Sequence, residues 1–251
     1  MNILIATIVK DEAHRYLASA LEGWSQFANR IVAIDDGSTD NTAQMLQDSL
    51  KVAYHTLPDS TDLWGKEASH RAALFALALG YAGEGDVIFW LDADMIPATD
   101  PRKFFQLEDV DTWAFPLYDL WGTDAHNRLV YRCDGYWAGH RHPRVWAIRK
   151  TADIDAAELG WPNARGIHSG HIPTSYFNND RTILTMPSTC ALLHYGYFTQ
   201  TDRDERVERY DDVSMLLEPD ERAHARSIND MPKLQTVPLM PTLTLERKVD
   251  E

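Results

Sequence analysis

Residues Asp86 to Asp94 read DVIFWLDAD. Val87 to Leu91 is an unbroken apolar run of strand length, the pattern of a strand buried on both faces. Upstream, Ile3 to Val9 (ILIATIV) and Arg30 to Ile34 (RIVAI) are of the same kind, and Val52 to Leu57 is a weaker third strand. The intervening segments have a helical period. Leu17, Ala20, Leu21 and Trp24 fall on one stripe, as do Trp64, Ala68, Arg71, Phe75 and Ala78 in a helix read over Trp64 to Leu79. A third helix follows Asp40, its predicted cap, with Ala43, Leu46 and Leu50 facing inward. Strands alternating with helices at this spacing predict an α/β fold, its central sheet mostly parallel and covered by helices on both faces.

After Asp100 the pattern changes. Trp113 to Trp121 and Arg144 to Arg149 read as further strands within a segment dense in aromatics, His and Arg. No linker divides the halves, so a single domain is expected over residues 1–215, with halves at 1–100 and 101–215. Residues 216–251 are expected to form a C-terminal helix and a Pro-containing extended tail packed on the surface. Two cysteines, Cys133 and Cys190, are too few for a disulfide scaffold and fit a reducing compartment. No run approaches the roughly 20 apolar residues of a membrane helix. These features predict a cytoplasmic protein without a transmembrane segment; they do not specify its oligomeric state.

With 38 acids against 24 Lys and Arg, the formal charge is -14. Such a surface repels polyanions, which argues against general binding of nucleic acid or anionic membrane. One stretch runs the other way. Between His126 and Lys150 stand Arg128, Arg132, Arg141, Arg144, Arg149 and Lys150 with a single acid, Asp134. This basic island suggests a local anion site.

In an open parallel sheet, ligands bind beyond the carboxyl ends of the strands. Three such ends are acidic here: Asp11-Glu12, Asp35-Asp36 and Asp92-Ala93-Asp94. Carboxylates gathered on one rim need a cation or hydrogen-bond donors to offset their repulsion. Hard Mg²⁺ or Mn²⁺ takes one or two carboxylates together with phosphate oxygens, so Asp92 and Asp94 are candidate ligands turned toward one ion. Asp35 or Asp36 is available for a nucleobase or ribose. Arg71 faces inward, where it must pair with a rim carboxylate, orient Asp92 or meet phosphate. The chain has no G-x-G-x-x-G, no G-x-x-x-x-G-K-[ST], no H-E-x-x-H, no C-x-x-C and no G-x-S-x-G.

Lys10-Asp11-Glu12, IVAIDDGSTDNT (Ile31 to Thr42), the helix with Glu67 and Arg71, and FWLDAD (Phe89 to Asp94) together resemble family 2 glycosyltransferases of the GT-A fold. The resemblance implies a nucleotide-diphosphate sugar donor of UDP or GDP type, held by Val9, Asp11, Asp35, Asp36, Lys66, Arg71, Asp92 and Ala93. It also implies Mn²⁺ or Mg²⁺ on Asp92 and Asp94, completed by His194. The second half is more loosely similar to the lipopolysaccharide-core β-glucosyltransferases. The counterparts are Arg144 to Arg149, Ile167-His168-Ser169, His194 to Tyr197, and Glu205 to Tyr210. That subgroup has Glu after the histidine where this chain has Ser169, so the general base is missing from its expected place. His168, His171, Asp134 and Glu158 are the candidates. The basic island and the aromatics nominate Trp137, Arg141 and Arg144 for a sugar- or phosphate-bearing acceptor, with Trp121, Tyr136 and Trp161 as further ring platforms. The expected function is metal-dependent sugar transfer to a hydroxyl; the alternative is a catalytically inactive nucleotide-sugar-binding module. A nucleotidyltransferase would need a Gly-rich basic loop after the first strand, which IVKDEAHR (Ile8 to Arg15) does not supply.

Overall fold

A computed structural model describes residues 1–57, 67–154, 170–178, 180–212, 217, 219–238 and 240–248. Twelve strands and six α-helices are present among them. Strands β1 (Ile3–Val9), β2 (Arg30–Asp35), β3 (Val52–Thr56) and β4 (Val87–Trp90) alternate with helices α1 (Leu17–Ser25), α2 (Thr42–Asp48) and α3 (Glu67–Tyr81). Next come β5 (Met95–Pro97), α4 (Arg102–Phe105), β6 (Thr112–Phe115), β7 (Leu117–Thr123), β8 (Leu129–Arg132), β9 (Arg144–Arg149), β10 (Ile183–Thr185) and β11 (Leu192–His194). The chain continues with α5 (Gln200–Asp212), α6 (Pro219–Ser227) and β12 (Leu234–Thr236).

The larger sheet has the order β10-β6-β9-β4-β1-β2-β3. Strands β3, β2, β1 and β4 are mutually parallel, while β9 runs antiparallel to both β4 and β6. The apolar runs behave as buried strands should. Ile3, Ile5, Ile31, Ala33, Val87 and Phe89 enter one core, and Leu4, Ala6, Val32, Ile34, Ile88 and Trp90 enter the other. The alternation follows from the period of two along a strand. α1 packs with the first core and α3 with the second, so helices cover both faces. Strand order reverses at β1, which places a topological switch point between β1 and β4.

The smaller sheet, β12-β8-β7-β11-β5, departs from the sequence reading. The segment read as one strand over Trp113 to Trp121 is two strands in different sheets, β6 and β7, divided at Pro116. Proline has no N–H to continue a ladder, and the chain crosses between sheets there. Leu50, expected inside, is fully exposed because α2 ends two residues before it. The C-terminal segment contributes β12, paired with β8, and buries Val237, Leu243 and Leu245 in the first core. Cys133 and Cys190 are both buried and free. Among the described residues no helix is long and apolar enough to cross a membrane.

Candidate active site

The parallel register brings the strand ends together. Val9 aligns with Asp35 across β1 and β2, and Ala6 aligns with Trp90 across β1 and β4. A cleft of about 610 Å³ opens at this rim, lined by Val9, Asp11, Glu12, Asp36, Arg71, Asp92, Ala93, Asp94 and His194. Both acidic turns and the DAD triplet therefore face one cavity.

The two acids of the DDGS turn have different duties. Asp35 accepts the Ser38 N–H at 3.1 Å and the Tyr54 hydroxyl at 3.3 Å, and it does not line the cleft. Asp36 is fully buried and lines it, its Oδ1 3.6 Å from His70 Nδ1. Asp11 adopts a positive φ of 51° and closes the turn by accepting the Thr39 N–H at 2.7 Å. Asp40 accepts the Thr42 N–H, as expected of a residue opening α2, and also the Ala13 N–H. That second bond ties the two loops of the rim together.

The DAD triplet splits. Met95 N–H bonds back to the Asp92 carbonyl, and the turn points the two side chains to different partners. Asp92 faces Arg71, with Nη1 3.4 Å from its Oδ1. Asp94 is buried, its Oδ2 3.5 Å from His194 Nε2 and 3.3 Å from Arg206 Nη2. Asp94 and His194 thus meet, while Asp92, which lines the same cleft, has Arg71 as its neighbour. Antiparallel pairing of β5 with β11, Met95 opposite His194, makes that meeting, and Tyr195 N–H to the Asp94 carbonyl at 2.8 Å secures it.

Parallel pairing of β11 with β7 then sets His194 opposite Asp119, whose Oδ1 lies 2.7 Å from His194 Nδ1. The sequence reading missed Asp119. A carboxylate on one ring nitrogen fixes the ring and turns the other nitrogen to the cleft, the usual support of a metal-binding histidine. Burial alone would lower the His194 pKa, but Asp94 and Asp119 hold it up at about 10. Burial likewise works against the Asp94 charge, and His194 and Arg206 hold that carboxyl well below the usual range. Burial pushes Glu12 up to about 7, with Arg15 pulling it down and Asp94 adding to the rise.

Gly196 is the second residue that sequence reasoning did not single out. A Cβ there would stand 2.6 Å from His194 Nε2, 2.8 Å from Asp94 Oδ2 and 2.6 Å from Arg206 Nη2. The missing side chain leaves a small space bounded by an imidazole nitrogen and a carboxylate oxygen. Asp94 Oδ1, buried beside it, has no hydrogen-bond partner among the described residues. These features fit a divalent cation. Among the described residues no three His, Cys, Asp or Glu side chains are grouped to hold one unaided. Asp94 and His194 would hold it, with the remaining positions left to water or phosphate oxygens.

α5 delivers Arg206 and Arg209 to the same wall. Its first turn is closed by a reciprocal pair, Thr199 N–H to Asp202 Oδ2 at 2.8 Å and Asp202 N–H to Thr199 Oγ1 at 3.0 Å. Asp202 also accepts the Tyr16 hydroxyl and pairs with Arg247, which anchors the helix to α1 and to the C-terminal segment.

The general-base candidates fare poorly. Asp134 is committed to Arg132 at 2.6 Å and does not line the cleft. His171 lines it, but its Nδ1 is 2.8 Å from Arg71 Nη1. A guanidinium only donates, so Nδ1 accepts and the ring proton sits on Nε2. Burial, Arg71 and Arg144 push its pKa well below the ordinary value. His171 is thus a neutral prop for Arg71. His168 and Glu158, together with Lys66 and Trp161, lie outside the described residues.

The basic island is largely internal. Arg149 donates to the carbonyls of Gly85, Phe105, Leu107 and Val110, and Lys150 to those of Leu79 and Ala82 at the end of α3. Arg132 is buried against Asp134 and the Ser227 carbonyl. Arg141 turns to the Cys133 carbonyl and does not line the cleft. Trp137, proposed as a sugar platform, is 1% exposed and packed between Trp121, Tyr197 and His224, so it offers no free face. Trp121 lies between the Arg132 and Arg203 guanidiniums, also off the cleft. Arg144 does line it, as do exposed Tyr136 and His142.

The cleft thus combines a switch point, acids at three strand ends, a carboxylate–histidine corner and inward arginines. Residues 4–103 match the family described as Glycosyl transferase family 2. Two curated relatives, "Uncharacterized protein Rv3786c" of Mycobacterium tuberculosis and "Uncharacterized protein Mb3815c" of Mycobacterium bovis, are each 27% identical over 241 residues. Each match covers 88% of this chain and 52% of the relative, so the chain spans about half the length of the curated relatives it matches. Among solved structures, HddC from Yersinia pseudotuberculosis is 13% identical with a TM-score of 0.43, over 84% of this chain and all of that one. Glucosyl-3-phosphoglycerate synthase from M. tuberculosis, in complex with Mn²⁺, UDP and glucosyl-3-phosphoglycerate, is 13% identical with a TM-score of 0.32, over 46% of this chain and 44% of that one.

Proposed function

We propose that the protein is a metal-dependent glycosyltransferase that moves a sugar from a nucleotide-diphosphate sugar to a hydroxyl of a sugar- or phosphate-bearing acceptor. The observation that carries this reading is the convergence of Asp94 Oδ2 and His194 Nε2 on the space beside Gly196, in the cleft that Asp36 and Arg71 also line. A divalent cation held there by Asp94 and His194 supplies positive charge to the diphosphate leaving group. Asp36, at the buried edge of the cleft, is the acid of the DDGS turn assigned here to the nucleoside. Arg71, oriented by Asp92, Glu67 and His171, adds a fixed cation on the phosphate side. Arg144, which also lines the cleft, makes no ion pair with a described residue, which favours an anionic acceptor. A cytoplasmic location and a UDP or GDP donor belong to the same proposal.

The test is a thermal-shift screen of UDP-, GDP- and CMP-sugars with and without Mn²⁺, followed by donor hydrolysis. One nucleotide-sugar should raise the melting temperature by several degrees only with Mn²⁺, since a native-state ligand stabilises by mass action. A shift independent of the metal rejects the metal assignment. The commitment of Asp134 and His171 to other partners favours a second reading, a sugar-nucleotide-binding module without catalysis. Metal-dependent binding with no hydrolysis and no transfer supports that module.

Metal uptake should also depend on pH. Asp94 and Asp119 raise the His194 pKa and so favour its protonated form, whereas a metal ligand must be neutral. Raising the pH removes the competing proton. Mn²⁺ uptake in the presence of the nucleotide should therefore release about one proton per ion near pH 7, and affinity should rise about tenfold per pH unit below the His194 pKa. Calorimetry in two buffers of different ionisation enthalpy measures the release; a value of zero removes His194 from the ligand set.

A further inference from the structure

Three atoms bound the space beside Gly196, and they differ in freedom. His194 Nε2 is held by Asp119 on the far side of the ring, and Asp94 by the strand pairing and the Tyr195 N–H. Arg206 Nη2 is the tip of a long side chain and donates to Asp94 at 3.3 Å, while the guanidinium Cζ lies 5.3 Å from the Tyr197 ring centroid. Only the guanidinium can withdraw without unmaking a strand.

The charges around it explain why it would. Arg15, Arg206 and Arg209 converge beside Glu12 and Asp94. Arg15 is already engaged with Glu12 at 2.7 Å and with Glu205 at 3.5 Å. A divalent ion added to that corner meets an existing cation on the same carboxylate oxygen. Its arrival is favourable only if the guanidinium leaves Asp94 or an anion comes with the ion.

Resting on the metal and diphosphate reading above, we propose that Arg206 is an exchange cation. It occupies Asp94 Oδ2 when no divalent ion is bound, cedes that oxygen to the ion, and moves onto the phosphoryl oxygens that arrive with it. In the empty site Arg206 screens the buried Asp94 charge, and in the loaded site it reads the diphosphate. Ion and nucleotide consequently bind with positive coupling, each removing the obstacle to the other.

The test is Mn²⁺ binding, followed by electron paramagnetic resonance of the free ion, with Mn²⁺ alone and with UDP or GDP, for wild type and R206Q. R206Q should bind Mn²⁺ alone on the order of tenfold more tightly than wild type, because the competing cation is gone. It should bind the nucleotide in saturating Mn²⁺ on the order of tenfold more weakly, because the phosphate contact is gone. These opposite signs are what a merely structural role would not produce. R206M, of similar length and apolar, carries the same expectation if the Gln variant does not fold. Wild type that takes up Mn²⁺ with nucleotide, beside a variant whose affinity for Mn²⁺ alone is equal or weaker, overturns the exchange and spares the donor reading. Wild type that takes up no Mn²⁺ with either nucleotide overturns both.

Discussion

On the proposed function, Asp94→Asn should abolish Mn²⁺-dependent donor binding, and turnover should fall by at least about a thousandfold. Asn keeps the volume of Asp but loses the charge that a hard divalent ion requires. Several kcal/mol of leaving-group stabilisation disappear with the ion, and each 1.36 kcal/mol is a factor of ten in rate. The same change leaves His194 and Arg206 without their shared carboxylate in a buried corner. The variant should therefore also be less stable, since breaking a buried pair costs about 3–5 kcal/mol. Asp92→Asn is the informative control. Asp92 is about one-third exposed and faces Arg71, so its variant should retain Mn²⁺ uptake while donor affinity declines. Rates and Mn²⁺ binding measured side by side decide the matter. Equal loss of ion binding in both variants would restore the shared-ligand arrangement that the DAD spacing first suggested.

Gly196→Ala carries the second large effect, and it replaces neither of the two proposed ligands. Gly196 is not among the positive-φ glycines, so an alanine meets no backbone strain there. Its methyl group would, however, stand within 2.8 Å of three polar atoms, closer than carbon tolerates. Arg206 can swing aside, whereas His194 and Asp94 are held by the pairing of β11 with β7 and β5. The methyl would thus fill the space proposed for the cation. Metal-dependent donor binding should weaken by about a hundredfold or more, on the order of 3 kcal/mol. The melting temperature should stay within a few degrees of wild type. Calorimetric titration of Mn²⁺ with nucleotide checks the first expectation, and circular dichroism on heating checks the second. Donor binding that survives Gly196→Ala would place the ion elsewhere.

The first half was legible because its signals are local. ILIATIV, RIVAI and VIFW announce strands buried on both faces, and acids at their carboxyl ends mark the rim whatever the rest of the chain does. Arg71 was readable as inward-facing from its helical stripe, and the cost of an unpaired guanidinium called for a rim carboxylate, Asp92 or phosphate beside it; the structure shows Asp92. The second half was less legible, for a physical reason. Its strands are short, half-buried and joined across sheets, so period-two patterning does not say which neighbour each will meet. Pro116 inside an apparent strand was the available warning. The basic island misled because a count of charges does not reveal their targets; Arg149 and Lys150 serve backbone carbonyls. Trp137 misled similarly, since burial and display of an indole ring share one sequence signature.

The order of residues by itself determined a parallel half-sheet, helices on both of its faces and an acidic rim at the switch point. These follow from hydrophobic period and from the rule that strand ends share an edge. Only the tertiary structure decided which acid meets which cation. His194 reaches Asp94 through β5–β11 pairing, Asp119 reaches His194 across 75 residues of chain, and Gly196 marks a space visible only when three side chains surround it. Such contacts between distant segments depend on register and crossing, which no local pattern encodes.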